Sequence, residues 1–581
     1  MGSRTMYTVL AEAAAAFGGK PALHQPLGKG EYRTWSWVEY KRTAEEIACG
    51  LARLGIQKGD IVALYSETRA EFYLADLGIL SRGAVAAALY TSYPVPDLIQ
   101  NLRAVQPKLI FAEDAKSMRT LVDGAGDVSF NARWVLLSGD ANGEDALTLA
   151  QLQEEGRRAL AEDPQAFEKI RADVAAEDYA ILYLTSGATG EPKMGFATHH
   201  ALVANVDTGP VVLPLHPGDS TIAFLPSAHI AQRVVVELVP IRMGASVWFS
   251  ESLARLPHEL KAIKPTFFLA PPRVWERIYA TVSTEVKKRG PATRRLFYWA
   301  LGLGLEASRR RQEGRQIPGW LRASLKIGDK LVFSKIRERL GGRLRMAASG
   351  AAPLGRDLAN FFAAIGMPLI EGYGLTEGGV VSFNPLDRPK SGSIGKPLPG
   401  VEMKIAEDGE LLVRSGALFS GYYNDSAASA AVLRDGWLYT GDIAEIDSDG
   451  YWYITGRKKE LIVASNGKKI YPARIEGLFK LEPVINQVLL IGDRLPYITA
   501  LFTVNPTHAA SLVSEEVQQA VSRANKQLAP FEQIRKFKVL ERDFSIEAGE
   551  LTPTMKVRRS RVLENYRSLV NEMYMGKEES Q

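Results

Sequence analysis

The chain has 581 residues, 46% of them hydrophobic and 24% charged, a balance that excludes a disordered polymer and predicts more than one buried core at roughly 100–200 residues per domain. Its formal charge of +5 is too mild for this length to indicate nucleic acid, and it suits anionic small molecules or an anionic membrane surface. The single cysteine, Cys49, excludes an internal disulfide. With no secretory pattern, no myristoylation signal after Met1-Gly2 and no run near the ~20 apolar residues that span a bilayer, a cytoplasmic protein without a lipid anchor is expected.

In chain order, Ser36-Trp37-Val38-Glu39 reads as a capping box, opening a helix whose apolar positions Ala44, Ile47, Leu51 and Leu54 recur at helical spacing until Gly55. Apolar runs at 61–65, 84–89 and 109–112 alternate with helical segments at 70–80 and 98–105. The rhythm returns at 179–185, 221–225, 246–249, 267–270, 344–348 and 368–371. Such alternation predicts an α/β domain of parallel sheets covered on both faces, here two related sheets.

The stretch 287–345 is rich in Lys and Arg interleaved with Phe297, Tyr298, Trp299 and Trp320. It reads first as solvated basic helix faces over buried aromatics and second as a membrane-contact surface. From about Val401, strand-like segments at 402–405, 410–414, 437–440, 443–446 and 451–455 predict a small antiparallel, barrel-like part. The last ~125 residues suffice for a small α+β unit. The expected domains are therefore 1–456 and 457–581, joined near Arg457-Lys458-Lys459.

Five segments carry chemistry. Leu184-Thr185-Ser186-Gly187-Ala188-Thr189-Gly190-Glu191-Pro192-Lys193 follows a predicted strand and precedes Thr198, a helix cap. Small residues expose backbone N–H groups, hydroxyls add donors and Lys193 adds charge, which suits phosphate, although such a loop alone also reads as a surface turn. Glu371-Gly372-Tyr373-Gly374-Leu375-Thr376-Glu377 offers a ring face, glycines that admit a flat ligand, and in Glu377 a hard oxygen donor for Mg²⁺. Ser349-Gly350-Ala351-Ala352 forms the opposing wall of that slot. Tyr439-Thr440-Gly441-Asp442 places a carboxylate at a strand end, suited to ribose hydroxyls, with Arg457 opposite. Near the carboxyl end, Gly549-Glu550-Leu551-Thr552-Pro553-Thr554-Met555-Lys556 presents a lysine that, taken alone, is an ordinary surface residue.

In this order and spacing, nearly the whole chain resembles the adenylate-forming superfamily of acyl-CoA synthetases, peptide-synthetase adenylation domains and luciferases. Phe224-Leu225-Pro226-Ser227-Ala228-His229-Ile230 with Arg233, Pro271-Pro272-Arg273-Val274-Trp275-Glu276 and the basic helical insert look most like long-chain fatty acyl-CoA synthetases. The resemblance implies ATP, Mg²⁺ and coenzyme A, with a long-chain fatty acid converted to acyl-AMP and then to a thioester. It assigns Lys556 to the carboxylate and α-phosphate, and Thr185 and Glu377 to the metal. Ser186, Gly187, Thr189, Gly190 and Lys193 go to the β- and γ-phosphates, and Asp442 and Arg457 to the ribose. Ala351, Ala352 and Tyr373 go to the adenine slot, and Gly350, Glu371, Gly372, Gly374 and Thr376 are counted with them among the cofactor-binding residues. Lys459 matches a hinge about which the small domain turns, presenting 465–469 to the pantetheine. His229 and Trp275 are candidates for the acyl tunnel mouth or for buried structural roles.

Two departures from the family pattern stand out. Met194 follows Lys193 where a glycine is usual, and Ala188 replaces a commoner threonine. Alternative readings are a fatty acyl-AMP ligase that loads a carrier protein and a non-catalytic binding protein of the same fold. Acyl chain length and oligomeric state are not encoded legibly.

Overall fold

The computed structural model describes residues 4–126, 130–185, 193–465, 467–505, 510–552 and 555–575. Its largest sheet has eight strands. At its centre Val85–Ala88, Ile61–Tyr65, Leu109–Ala112 and Arg133–Leu136 run parallel, with Tyr179–Thr185 added beside Val85–Ala88. These strands are buried almost throughout, as helix-covered parallel strands must be. The covering helix Trp37–Arg53 begins at the expected capping box, where Ser36 and Glu39 satisfy each other's backbone N–H groups.

Three further sheets complete the large part. One contains Ser220–Ala223 and Ser246–Phe249, beside the hairpin Pro21–Gly28 and Glu31–Ser36. That hairpin is absent from the sequence reading because Pro21, Pro26 and Gly28 read as loop; the register shifts fall at those residues, where a missing donor is tolerated. A second sheet runs from Phe267–Ala270 through Met346–Ser349 to Leu369–Leu375, all parallel, and then reverses at Gly379–Phe383. The third is the antiparallel sheet of Glu402–Ile405, Glu410–Arg414, Trp437–Ile446 and Trp452–Arg457. Here the expected strands 437–440 and 443–446 are one strand, Trp437–Ile446, irregular in its pairing on both sides near Gly441.

The carboxyl-terminal part builds its own core. Ile485–Ile491, Ile498–Val504 and Ile534–Val539 form a mixed sheet, with Phe479, Phe502 and Val517 buried on one side and Leu489, Leu501 and Val562 on the other. Among the described residues no helix is long and apolar enough to cross a membrane.

Candidate active site

The phosphate-loop segment does not run from strand directly into helix. A second strand, Lys193–Thr198, folds back on Tyr179–Thr185 before the helix His199–Asp207, which Thr198 caps as expected. The register pairs Thr185 with Lys193. Ser186, Gly187, Ala188, Thr189 and Gly190, like the side chain of Thr185, lie outside the described residues. Met194 is buried in the core beneath the hairpin. A Cβ on Gly195 would stand 3.0 Å from the Phe419 ring, so a side chain there would press on it.

The Lys193 ammonium stands 4.7 Å from the centre of the Tyr422 ring. Tyr422, on a short strand paired to Lys193–Thr198, donates its hydroxyl to Glu377 Oε1 at 2.7 Å. One tyrosine thereby ties the Lys193–Thr198 strand to the Glu377 carboxylate. Sequence reasoning missed it, because Gly421-Tyr422-Tyr423 carries no chemical pattern of its own.

The glycine-rich segment is extended: the strand Leu369–Leu375 runs through it and pairs with Gly379–Phe383. Cross-strand packing requires its glycines. A Cβ on Gly372 would meet the Phe383 ring at 2.6 Å, and one on Gly374 the Gly379 carbonyl oxygen at 2.5 Å. The Gly350 turn does lie against this strand, since a Cβ on Gly350 would stand 3.7 Å from the Gly372 carbonyl oxygen, and the next residue, Ala351, adopts φ 68°. Thr376 is half-buried between Leu375 and Glu377.

Glu371 differs from its neighbours. It is buried, accepts backbone N–H groups from Gly392 at 2.9 Å and Leu354 at 3.4 Å, and is pushed up to about 8 by desolvation. Its carboxyl group braces the loops behind the slot and is directed at protein backbone.

Tyr373 donates to Asp442 Oδ2 at 2.5 Å, and Arg457 Nε stands 3.1 Å from Asp442 Oδ1. Asp442 lies inside a strand, opposite Arg457 in register, and so is held by the sheet rather than by a strand end. Burial, and next the Asp442 carboxylate, raise the Tyr373 hydroxyl far above its ordinary range and keep it a donor.

Lys556 arrives from the other lobe. Its N–H is fixed by Thr552 Oγ1 at 3.1 Å. Desolvation and then the Arg457 guanidinium lower its ammonium to about 8, while Asp442, Glu460 and Glu377 act in the opposite sense. The lysine and the two acids assigned to ribose and metal therefore feel one another in a single cleft. His229 borders it: its Nδ1 accepts the Ala231 N–H at 3.1 Å, and burial, followed by Lys556, depresses it to about 3.

Other assignments separate. Lys459 and the described residues of 465–469 are exposed. Trp275 is a core residue whose Nε1 donates to the Ala270 and Ala348 carbonyls, at 3.1 and 3.3 Å. Arg233 is fully buried on Asp76. Contacts between lobes that the sequence does not announce include Arg273 Nη1 to the Asn486 carbonyl at 2.6 Å and Lys480 to the Pro353 carbonyl.

Residues 10–423 match the family model of the AMP-binding enzyme, and residues 459–578 that of the AMP-binding enzyme C-terminal domain. The chain belongs to the AMP-binding enzyme family. This AMP-binding enzyme is 36% identical to the long-chain-fatty-acid–CoA ligase FadD15 of Mycobacterium tuberculosis over 95% of its own length and 94% of the relative's. It is 27% identical to the long-chain-fatty-acid–CoA ligase ACSBG2 of Rattus norvegicus, over 98% and 93%. Among solved structures it is similar in fold to the anthranilate CoA ligase AuaEII, at TM-score 0.76 and 19% identity over 98% of both chains. A likeness of equal TM-score, at 21% identity, links it to the adenylation domain of a carboxylate reductase from Mycobacterium chelonae, over 98% of this chain and 91% of that one. The family match spans the cleft's Lys193, Tyr373 and Glu377 in one region and Lys556 in the other.

Proposed function

We propose that this AMP-binding enzyme activates a long-chain fatty acid with ATP, forming acyl-AMP and pyrophosphate, and transfers the acyl group to coenzyme A with release of AMP. The observation that carries the reading is the approach of Lys556, from the carboxyl-terminal lobe, to the Asp442, Arg457 and Glu377 cluster of the large lobe. The two similar ligases, covered almost end to end, support the fatty-acid substrate and the thioester product.

In the first half-reaction a carboxylate oxygen bonds to the α-phosphorus as the bond to pyrophosphate breaks. Two anions must meet, so electrostatic neutralisation and alignment dominate the barrier. The Lys556 ammonium neutralises the carboxylate and the α-phosphate together. Asp442 accepts the ribose hydroxyls, held in place by Tyr373 and Arg457. Lys193 and the segment 186–192 hold the outgoing phosphates.

Among the described residues no three His, Cys, Asp or Glu side chains cluster as a metal cage. Mg²⁺ fits a hard-oxygen set of Glu377, positioned by Tyr422, with the Thr185 hydroxyl and phosphate oxygens, where it would offset the negative charge of the leaving group. In the second half-reaction the coenzyme A sulfur bonds to the acyl carbon and AMP leaves. We assign Lys459 to the joint about which the 457–581 lobe turns between steps, and 465–469 to the pantetheine path.

The test is direct. Purified protein incubated with ATP and palmitate is expected to exchange labelled pyrophosphate into ATP, and with coenzyme A to yield palmitoyl-CoA and AMP. Exchange without thioester, but with acylation of a carrier protein, would replace the second half of the reading. No exchange with any organic acid would remove it altogether.

A further inference from the structure

The first turn of the helix Pro272–Lys287 divides its residues between two tasks. Pro272 and Trp275 are buried, and the Trp275 indole pins the turn to the Ala270 and Ala348 carbonyls of the sheet. Arg273 and Glu276, three residues apart, share the side left open and are mounted rigidly by that anchor. What they meet comes from the other lobe. Arg273 Nη1 donates to the Asn486 carbonyl at 2.6 Å and to Asn486 Oδ1 at 3.2 Å, and the Asn486 amide in turn donates to Asp543. Glu276 Oε1 lies 4.0 Å from Lys480 Nζ, which donates to the Pro353 carbonyl. On either side of Lys480, Phe479 is buried in the core of the small lobe and Leu481 packs against the core of the large one.

The acceptor of the Lys480 bond matters. Pro353 ends the short loop that carries Ala351 and Ala352, the residues expected against the adenine. Ala351 has φ 68°, a conformation an L-residue keeps only where its surroundings fix it. From the large lobe, Glu371 accepts the Leu354 N–H at 3.4 Å. From the small lobe, Lys480 holds the Pro353 carbonyl. The adenine wall thus has one fastening in each lobe. The strand that carries Asn486 also shares a core with the segment leading to Lys556, through Leu489 and Leu551. A shift of the small lobe therefore moves the clasp and the cleft lysine together.

We propose that Lys480 and Arg273 are positioning residues through which the seating of the carboxyl-terminal lobe completes the adenine slot. The assignment rests on the adenylation reading above. ATP is gripped fully only while Lys556 stands in the cleft, and the wall at 351–353 slackens around AMP once the lobe leaves. By linkage, a nucleotide that binds the seated form better also draws the lobe into that form, so the cation for the α-phosphate arrives with the substrate that needs it. Neither residue touches the reacting atoms; Arg273 acts through Asn486 and Lys480 through the loop carbonyl.

Two measurements on the full chain test this: calorimetric binding of ATP without any acid, and pyrophosphate exchange with palmitate. K480M keeps most of the stem and removes the charge. It should weaken ATP binding, and raise the ATP KM of exchange, by about tenfold, as for loss of one charge-assisted hydrogen bond. Thioester formation from supplied acyl-adenylate should be retained, which also shows that the variant is folded. K480R should recover most of the loss. R273M, which contacts no slot residue, should weaken ATP binding too, and K480M/R273M should cost less than the product of the single effects, because both act through one seating. Unchanged ATP affinity in K480M or in R273M would overturn the proposal, as would an equal fall of both half-reactions. Wild-type protein that binds ATP but exchanges pyrophosphate with no acid would remove the adenylation reading instead, and the clasp would then stand or fall on the calorimetry.

Discussion

Two arginine–aspartate pairs in this protein have opposite surroundings. Arg233 grips Asp76 in the core of the large lobe, both side chains wholly enclosed, with Glu237 beside them and Gln232 Nε2 donating to the Tyr73 hydroxyl at 2.9 Å. Arg457, half open to solvent, holds the buried carboxylate of Asp442 at the cleft, within the field of Lys556. The enclosed pair cannot reach a substrate and fixes how helix 70–82 meets the segment Ala231–Leu238 behind His229. The open pair keeps capacity for a ligand. Location, more than residue type, separates scaffold from chemistry.

The largest expected effect belongs to the cation facing the open pair. Replacing Lys556 with Ala should lower pyrophosphate exchange by ~10³-fold or more, about 4 kcal/mol of transition-state stabilisation. Thioester formation from supplied acyl-adenylate should be largely spared; equal loss of both steps would break the assignment.

Next comes the enclosed pair. Asp76→Asn leaves Arg233 buried without its counter-charge and should cost about 3–5 kcal/mol in urea denaturation, with activity per folded molecule nearly unchanged. The double replacement Asp76→Asn with Arg233→Met should recover part of that loss. If the single change costs nothing, the contrast between the pairs fails.

Asp442→Asn should do the reverse. Stability should shift by about 1 kcal/mol or less, because Arg457 remains hydrated. The loss of charge-assisted bonds to ribose should cut kcat/KM for ATP by roughly 10–100-fold in steady-state kinetics.

A smaller effect sharpens the electrostatics. Lys556 is lowered to about 8, so its positive charge is present below that pH and lost above it. The adenylation kcat/KM is expected to fall as pH rises through about 8. Arg457→Ala removes a like charge and should move that descending limb to higher pH, while Asp442→Asn should move it lower. Smallest of all, Tyr422→Phe removes one hydrogen bond to Glu377 and should raise the Mg²⁺ requirement several-fold, at about 1 kcal/mol.

Much of this was legible in the chain itself. The capping box at Ser36, the buried parallel strands 61–65 and 109–112 and the antiparallel texture after Val401 follow from local rules of burial and periodicity, and the structure contains them. Local patterns do not record what depends on neighbours. Gly372 and Gly374 read as glycines that admit a flat ligand, and the close approach of Phe383 and Gly379 requires them inside a strand pair as well. Glu371 sits in the same motif as Glu377 but points at backbone N–H groups. Trp299 and Trp320 read as buried, and only the packing at Gly328 and Leu321 shows which side of each helix was already filled.

Sequence by itself determined the family, the element types and most of the groups that bear charge in the cleft, because each is set by residue identity and short-range spacing. Tertiary structure alone decided that Tyr422 joins Lys193 to Glu377, that Asp76 closes on Arg233 across 157 positions, and that Lys556 lies in the field of Arg457. Those juxtapositions arise from strand register and the docking of distant elements, which no local pattern records.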